Sequence, residues 1–359
     1  MPLASPDINS SPSLLADWLE LQALAGPNRR AQRSILDSIF RLTSEERFVR
    51  LKQDDETGTR DDGEIIESGL EEISLSVSDE LTWRAEKLGA AYPFRLERRG
   101  TGDPRWELLG PDGTVTEEHS IYIACLFIVS FRRSLLIPED TIAEVFTHHH
   151  LGLIFQVCAC LAVGGYISGD VVSFGWPRAS GDAFLPALRN AWKRFGAYNI
   201  VDVAPDGAPN HLKDGGLDVI GWRNFSDGRP ARLIVFGQAA SGDNWSEKSA
   251  KEPSNALVGS WFIGFRPAAW IPATIMPFWA HEDVDLVSTR SSESTISGRM
   301  QHHEQTHGII FDRARVVSSA HHALTSASVD STRIDGADRI GEISAWVNRV
   351  LSTLRFAEH

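Results

Sequence analysis

Asp218 and Gln238 are the two polar residues whose types and positions best suit the binding of a metal ion. Asp218 lies near the start of the apolar run LDVIGW, just after Gly215-Gly216, and Gln238 lies just beyond the apolar run RLIVF. A carboxylate in an apolar segment costs much free energy unless a positive charge lies opposite it. A divalent cation supplies that charge, and carboxylate and amide oxygens are suitable ligands for it. The two residues therefore predict a divalent-metal site at the ends of two adjacent strands.

The segment from residue 213 to residue 252 resembles the PD-(D/E)xK, or restriction-endonuclease-like, superfamily of nucleases. In that superfamily an aspartate on one strand and a (D/E)xK tripeptide on the neighbouring strand gather a metal and a water nucleophile. Asp218 matches the first acid, Gln238 stands at the position of the second acid, and Ala240 falls where the lysine belongs. A glutamine can still ligate a metal through its carbonyl oxygen. The segment thus looks like a variant of this superfamily with a displaced lysine.

The resemblance implies a metal-dependent nuclease that hydrolyses phosphodiester bonds of DNA with Mg²⁺, or Mn²⁺, as its cofactor. Asp218 and Gln238 would ligate the metal, which would lower the pKa of a bound water and neutralise charge on the phosphate. Lys248, ten residues after Gln238, would orient that water or stabilise the phosphate. Lys251 is the second choice for this lysine. Because the core offers one acidic ligand, we expect weak metal affinity.

A second resemblance points to bacterial antiphage defence and adds candidate accessory residues. The run GQAASGDNW, with a lysine after it, resembles a signature of uncharacterised bacterial proteins of defence-type loci, and the likeness spans residues 150 to 265. Asn244 and Trp245 lie in that run. The superfamily also often places a glutamate on the helix before the two strands, and Gln156 is the only amide or acid in the corresponding apolar segment LGLIFQVCACLAV. A buried amide needs a hydrogen-bond partner, so Gln156 is a further candidate.

Each of these residues also has a purely structural interpretation. Asp218 could cap a turn after Gly215-Gly216, and Asn244 could begin a helix in which Trp245 is a packing residue. The same fold without catalysis would be a recognition or assembly module whose N-terminal helices bind a partner protein or a second copy of the chain. The nuclease and the inactive module are therefore both open.

Residues 303–307 spell the H-E-x-x-H pattern of zinc metalloproteases. Two histidines one helical turn apart can bind Zn²⁺ while the glutamate activates a water, which would assign these roles to His303, Glu304 and His307. The preceding residues show no helical periodicity, and Gly308 follows at once. We therefore expect residues 288–307 to form an exposed polar loop and the zinc protease to be the weaker alternative.

Composition narrows the class of protein. The chain has 359 residues and a formal net charge of -13, which argues against a nonspecific nucleic-acid coat but not against a nuclease with a bound metal. Cys125, Cys158 and Cys160 are sparse and predict reduced core thiols. The N-terminus has no basic start and no apolar signal core, and the longest apolar stretch, Ile121–Phe131, is shorter than the roughly 20 residues that span a bilayer. We expect a cytoplasmic protein that binds DNA and no membrane.

The elements that must position the candidate site belong to an α/β protein, α+β overall, with a central mixed sheet flanked by helices and a mostly helical N-terminal region. Residues 217–222 and 232–236 read as buried central strands. The first two helices, the second with Ala31 facing inward, form an α-hairpin, and a short helix covers 245–252. The predicted regions are a disordered lead at 1–12, a helical accessory region with a small β element at 13–116, the nuclease-like core at 117–287, the polar loop at 288–307 and a C-terminal helical region at 308–359.

Overall fold

The computed structural model describes residues 6–7, 10–38, 62–98, 105–132, 148–178, 180–208, 212–229, 232–281 and 292–356. Most of the predicted lead at 1–12 and of the charged run KQDDETGTRDDG at 52–63 lies outside these residues. The described residues form an α+β fold, with a five-stranded mixed sheet flanked by helices and a helical N-terminal region, as predicted.

Helices make up much of the described chain. Their bounds are α1 Pro12–Ala25, α2 Asp62–Leu88, α3 Glu117–Arg132, α4 His148–Ile167, α5 Phe184–Phe195, α6 Lys251–Ser260, α7 Ser292–His307, α8 Arg313–Thr325 and α9 Ile340–Phe356. The strands are β1 Arg30–Gln32, β2 Arg95–Arg98, β3 Trp106–Leu109, β4 Asp170–Ser173, β5 Asn199–Ile200, β6 Val219–Arg223, β7 Leu233–Ala239, β8 Phe262–Ile263, β9 Ile271–Ile275 and β10 Ile309–Phe311.

The central sheet has the strand order β10-β9-β7-β6-β4. Strands β4, β6 and β7 pair antiparallel, whereas β9 and β10 continue the sheet in parallel with β7. The predicted strands at 217–222 and 232–236 are β6 and β7, and both are buried on two sides because helices cover both faces of the sheet. Val219 and Val235 belong to one apolar cluster, and Ile220 and Phe236 belong to the other.

Helix α4 is the central helix of the fold. It packs between the sheet and α8, and a Cβ atom at Gly165 would lie 1.8 Å from the carbonyl oxygen of Ser319 in α8. A Gly-Gly pair such as Gly164-Gly165 commonly ends a helix, but this helix continues to Ile167. Gly165 allows the close contact with α8, and a Cβ atom at Gly164 would meet the side chains of Ile334 and Val171. By length and composition His150–Ile167 could cross a membrane, but 78% of that window is buried inside the protein, as in the core helix of a soluble protein.

The N-terminal region differs from the predicted α-hairpin. Ala31 lies in β1 and pairs with Leu108 of β3, so the residues after α1 form a strand of a three-stranded antiparallel sheet before a helical turn at 33–38. The helical spacing around Ala31 was misleading because β3 offers backbone hydrogen-bond partners that a lone sequence does not reveal. Helix α1 is almost entirely buried, which leaves little of its surface for the predicted partner.

A cluster of buried charges joins the N-terminal helices to the rest of the fold. Arg84 in α2 donates to the carboxylates of Asp17 at 2.7 Å, Glu20 at 2.9 Å and Glu80 at 2.8 Å. Arg313 in α8 donates to both oxygens of Asp17, at 2.7 and 2.9 Å. All five side chains are buried. Because an unpaired buried charge is costly, these groups satisfy one another only when α1, α2 and α8 are assembled.

Two tyrosines and a histidine complete this cluster. Tyr92 and Tyr122 donate to Glu20 at 2.7 and 2.8 Å, and Nε2 of His281 lies 3.1 Å from Oε2 of Glu80. Burial alone would raise the pKa of the Glu80 carboxyl. The charge of Arg84 and the hydrogen bond with His281 outweigh it and lower that pKa to about 2.

Candidate functional site

Asp218 is held where three strands of the central sheet meet. It lies directly before β6, and its backbone N–H donates to the Gly237 carbonyl at 2.8 Å. Its carbonyl accepts from Phe174 N at 2.7 Å and from Gly175 N at 3.0 Å, just after β4. Its Oδ2 accepts from Ala239 N at 2.8 Å. The backbone and the carboxylate are therefore both fixed by the neighbouring strands.

Gln238 lies in β7, one residue beyond Gly237, next to the strand end that carries Asp218. The antiparallel register pairs Val219 with Gly237, and the backbone N–H of Asp218 also donates to the Gly237 carbonyl, so Asp218 lies beside Gly237 rather than directly opposite Gln238. The Asp218 carboxylate accepts from Ala239 N, the residue that follows Gln238. The two predicted ligands thus come from adjacent strand ends, and both are partly exposed.

Asp218 lines a cavity of about 210 Å³ at this end of the sheet. Gln156 in α4 lines the same cavity, and its Nε2 donates to Ser173 Oγ at 2.8 Å and to the Asp218 carbonyl at 3.4 Å. Gln238 does not appear among the residues lining this cavity. The other lining residues are Gly152, Leu153, Phe155, Trp176, Pro177, Ala239 and Ser241.

The Asp218 carboxyl is a weaker acid than an ordinary aspartate side chain. Burial raises its pKa from the ordinary value of 3.8 to about 7, and the hydrogen bond from Ala239 N opposes that rise. The nearby charge of Asp214 raises the pKa further, whereas the charge of Lys248 lowers it. Lys248 is therefore near enough for its charge to lower the pKa of the Asp218 carboxyl. The site would hold the ionised carboxylate more easily if another positive charge were bound.

Gln238 supplies a second reason to expect a cation here. Its Oε1 is buried and has no hydrogen-bond partner within the part of the chain that the structure describes. A buried amide oxygen without a donor costs about 1–3 kcal/mol. An amide oxygen of this kind suits a divalent cation, although Gln238 does not line the cavity that holds the Asp218 carboxylate. Over the described residues no three His, Cys, Asp or Glu side chains cluster as metal ligands, so amide, hydroxyl or backbone oxygens would have to join Asp218.

The segment that carries Lys248 differs from the predicted helix at 245–252. Residues Asp243–Glu247 form a short 3₁₀ helix, Lys248 is extended, and α6 begins only at Lys251. Pro253 lies in the first turn of α6 rather than after its end, because the first-turn N–H groups of a helix need no partner within it. Residues 261–265 are apolar enough to suggest a strand, but within them only Phe262–Ile263 form one, β8, which pairs with β5 outside the central sheet.

Helix α7 packs against this segment and fixes it. Nδ1 of His307 lies 2.9 Å from the Lys248 carbonyl, and Ser249 Oγ donates to the Thr306 carbonyl at 2.8 Å. Nζ of Lys251 donates to the Gln305 carbonyl. Lys251, the second choice for the catalytic lysine, is thus engaged in holding α7.

The H-E-x-x-H motif lies on α7, so the predicted loop over 288–307 is wrong for Ser292–His307, although most of that helix is exposed as predicted. The helix forms because its last turn packs on the Lys248 segment. The centroid of the Trp245 ring lies 4.8 Å from the centroid of the His303 ring and 5.6 Å from that of the His307 ring. Trp245 therefore acts as a packing residue between these histidines. Asn244 is exposed, and Glu304 lies on the exposed part of the helix.

Sequence reasoning missed two residues at this site. Asp214 is a second acid whose charge acts on Asp218, and its Oδ1 accepts from Gly216 N at 2.8 Å. The run KDGGLD, with acids on both sides of the glycine pair, was the available signal for it. Trp176 lines the Asp218 cavity, and no spacing in the sequence pointed to it.

Comparison of the chain with protein-family models, with curated proteins and with solved structures gives no significant match. The arguments about function therefore rest on the geometry and chemistry of the site.

Proposed function

We propose that this protein is a metal-dependent nuclease that hydrolyses phosphodiester bonds of DNA. The observation that carries the proposal is the Asp218 carboxylate, which lines a cavity at the end of the central sheet and whose pKa burial raises to about 7. Gln238 lies at the adjacent strand end, and its buried amide oxygen has no partner among the described residues. The PD-(D/E)xK resemblance expects an acid and an amide or acid from two adjacent strands. A role in bacterial antiphage defence and a cytoplasmic location are part of the proposal and rest on the sequence alone.

Asp218 and Gln238 would hold Mg²⁺ or Mn²⁺, with Gln156 orienting the Asp218 backbone from α4. When bound, the metal would act as a Lewis acid on the phosphate and make a bound water more acidic. Lys248 would stabilise negative charge that develops on the phosphate. Below about pH 7 the Asp218 carboxyl carries a proton that it must release before it can bind a cation, so activity should rise with pH through that region.

The proposal is tested by incubating the full-length protein with single-stranded and duplex DNA in Mg²⁺ or Mn²⁺. We expect cleavage by the wild type and a loss of about a hundredfold or more in Asp218→Ala. Asp202→Ala is the matched control, because the Asp202 side chain is 94% exposed. Cleavage by Asp218→Ala at the wild-type rate would contradict the proposal.

The inactive recognition module is the second candidate. One observation favours it. Ala240, at the position of the superfamily's lysine, is fully buried, so a charged group from elsewhere in the protein could not occupy that position unless the surrounding residues rearranged. DNA binding that persists without cleavage in any divalent metal would support this candidate.

Gln238→Glu should bind Mn²⁺ about tenfold more tightly than the wild type, since it adds an anionic ligand beside Asp218. Calorimetric titration measures the affinity. Gln301→Glu, on the exposed face of α7, adds the same charge elsewhere and should leave the affinity unchanged. Equal affinities in Gln238→Glu and the wild type would show that Gln238 is not a ligand.

A further inference from the structure

A second cavity adjoins the Asp218 cavity. It has a volume of about 380 Å³ and shares Leu153, Gln156 and Pro177 with its neighbour. Three arginines and two aspartates line it, namely Arg178, Arg194, Arg339, Asp182 and Asp335. Arg194 pairs with Asp335 at 2.6 Å and Arg339 pairs with Glu342 at 2.9 Å, so Arg178 is the arginine of this cavity without a carboxylate in direct contact among the described residues. An arginine beside a candidate phosphodiesterase site suits a phosphate that flanks the scissile bond.

Arg178 has a donor left over for such a phosphate. Its guanidinium donates to the carbonyls of Asp182 at 3.1 Å and Lys213 at 2.6 Å. Within the described part of the chain its Nε is buried with no hydrogen-bond partner. Burial lowers the pKa of the guanidinium, which nonetheless stays charged because arginine is such a strong base. Backbone carbonyls thus hold Arg178 in place, and the charges of Asp214 and Asp182 are near enough to oppose the fall in its pKa.

Trp176 is 44% exposed and lines the Asp218 cavity, and Pro177, the next residue, lines both cavities. The Cζ atom of Arg178 lies 5.7 Å from the centroid of the Trp176 ring and 4.6 Å from the centroid of the Phe174 ring. An exposed indole beside an arginine is the combination that stacks on a nucleobase while the cation meets the neighbouring phosphate.

We propose that Trp176 and Arg178 bind an unpaired nucleotide next to the scissile phosphate, so that the substrate is a single strand or a locally unpaired strand. This rests on the proposed nuclease function for its biological meaning, but not for its binding chemistry. A base inside a duplex is stacked on its neighbours and cannot present its face to Trp176. Arg178 would contact the phosphate of the nucleotide whose base stacks on the indole.

The test measures binding without cleavage. Full-length protein carrying Asp218→Asn is titrated by fluorescence anisotropy with labelled oligothymidylate, oligouridylate and a blunt DNA duplex at low salt. We expect both single strands to bind more tightly than the duplex. Adding Trp176→Ala should weaken single-strand binding about tenfold to a hundredfold, and Trp176→Phe should restore most of it. Phe265→Ala, which removes an aromatic residue that is 89% exposed elsewhere, is the matched control.

Three results would overturn the inference: equal single-strand affinity with and without Trp176→Ala, tighter binding of the duplex than of the single strands, or no binding of any oligonucleotide. If Trp176→Ala weakens the binding of oligothymidylate more than that of oligouridylate, the result supports the inference and identifies DNA as the substrate. If it weakens the binding of oligouridylate more, the result supports the inference and identifies RNA as the substrate. The binding assay needs no catalysis, so the two proposals can fail separately. If single-strand binding depends on Trp176 but the wild type cleaves no DNA, only the nuclease proposal fails.

Discussion

Asp218→Asn should make the metal-free protein more stable above pH 7 while it abolishes nuclease activity. Burial raises the pKa of the Asp218 carboxyl from 3.8 to about 7, so between these pH values the folded state binds more protons than the unfolded state. The free energy of unfolding therefore falls as the pH rises through this window, and the full penalty is present above pH 7. Asparagine carries no charge and keeps an oxygen that can accept from Ala239 N.

The expected gain is about 2 to 4 kcal/mol above pH 7, with the lower figure allowing for the partial exposure of Asp218. Below about pH 4 both proteins carry a neutral group, and the gain should vanish. Urea unfolding of the metal-free proteins at several pH values measures it. Asp202→Asn, at an exposed position, is the control and should show no such trend. If Asp218→Asn were less stable than the wild type at high pH, the ionised Asp218 carboxylate could not be the destabilising buried charge that its raised pKa implies.

Arg84→Met should lower the free energy of unfolding by about 3 to 5 kcal/mol, because it leaves buried carboxylates without their cation. Arg84 donates to Asp17, Glu20 and Glu80, and only Asp17 also has Arg313 as a partner. Methionine fills a similar volume, so the loss reports charge rather than a cavity. Urea unfolding at neutral pH measures the change.

Arg95→Met is the matched control for Arg84→Met. The Arg95 side chain is 73% exposed, and its ion-pair partner within the described residues is the surface residue Glu97, so its loss should cost well under about 1 kcal/mol. The wild type should also lose stability as the pH falls from about 4.5 towards 2. This follows because the folded-state pKa of Glu80 lies below its unfolded value. An Arg84→Met protein as stable as Arg95→Met would mean that the cluster does not hold the N-terminal helices to the core.

The central strands of the site could be predicted from the sequence, whereas the outer strands could not. β6 and β7 are continuous apolar runs that end in turn residues, a pattern typical of buried strands. β9 contains Pro272, which counts against a strand because proline lacks a backbone donor, and β10 has only three residues. Both strands depend on parallel pairing with distant residues, which no local pattern records.

Helix α7 was missed for a related reason. Its sequence is polar and shows no apolar periodicity, so nothing local favours a helix. It is stabilised by contacts of its last turn with Trp245 and the Lys248 segment. Within the site, the position of Asp218 and Gln238 at two adjacent strand ends followed from the two strands. Trp176 and Asp214 did not, because loops between β4, α5 and β6 bring them there.

Calorimetric titration of the full-length protein with Mn²⁺, at about pH 5.5 and about pH 8.5, tests most directly whether Asp218 holds a divalent cation. We predict one site whose affinity is higher at the upper pH, with proton release on binding near neutral pH, and no binding at that site in Asp218→Asn. Equal binding in Asp218→Asn and the wild type, or an affinity that does not change with pH, would contradict it.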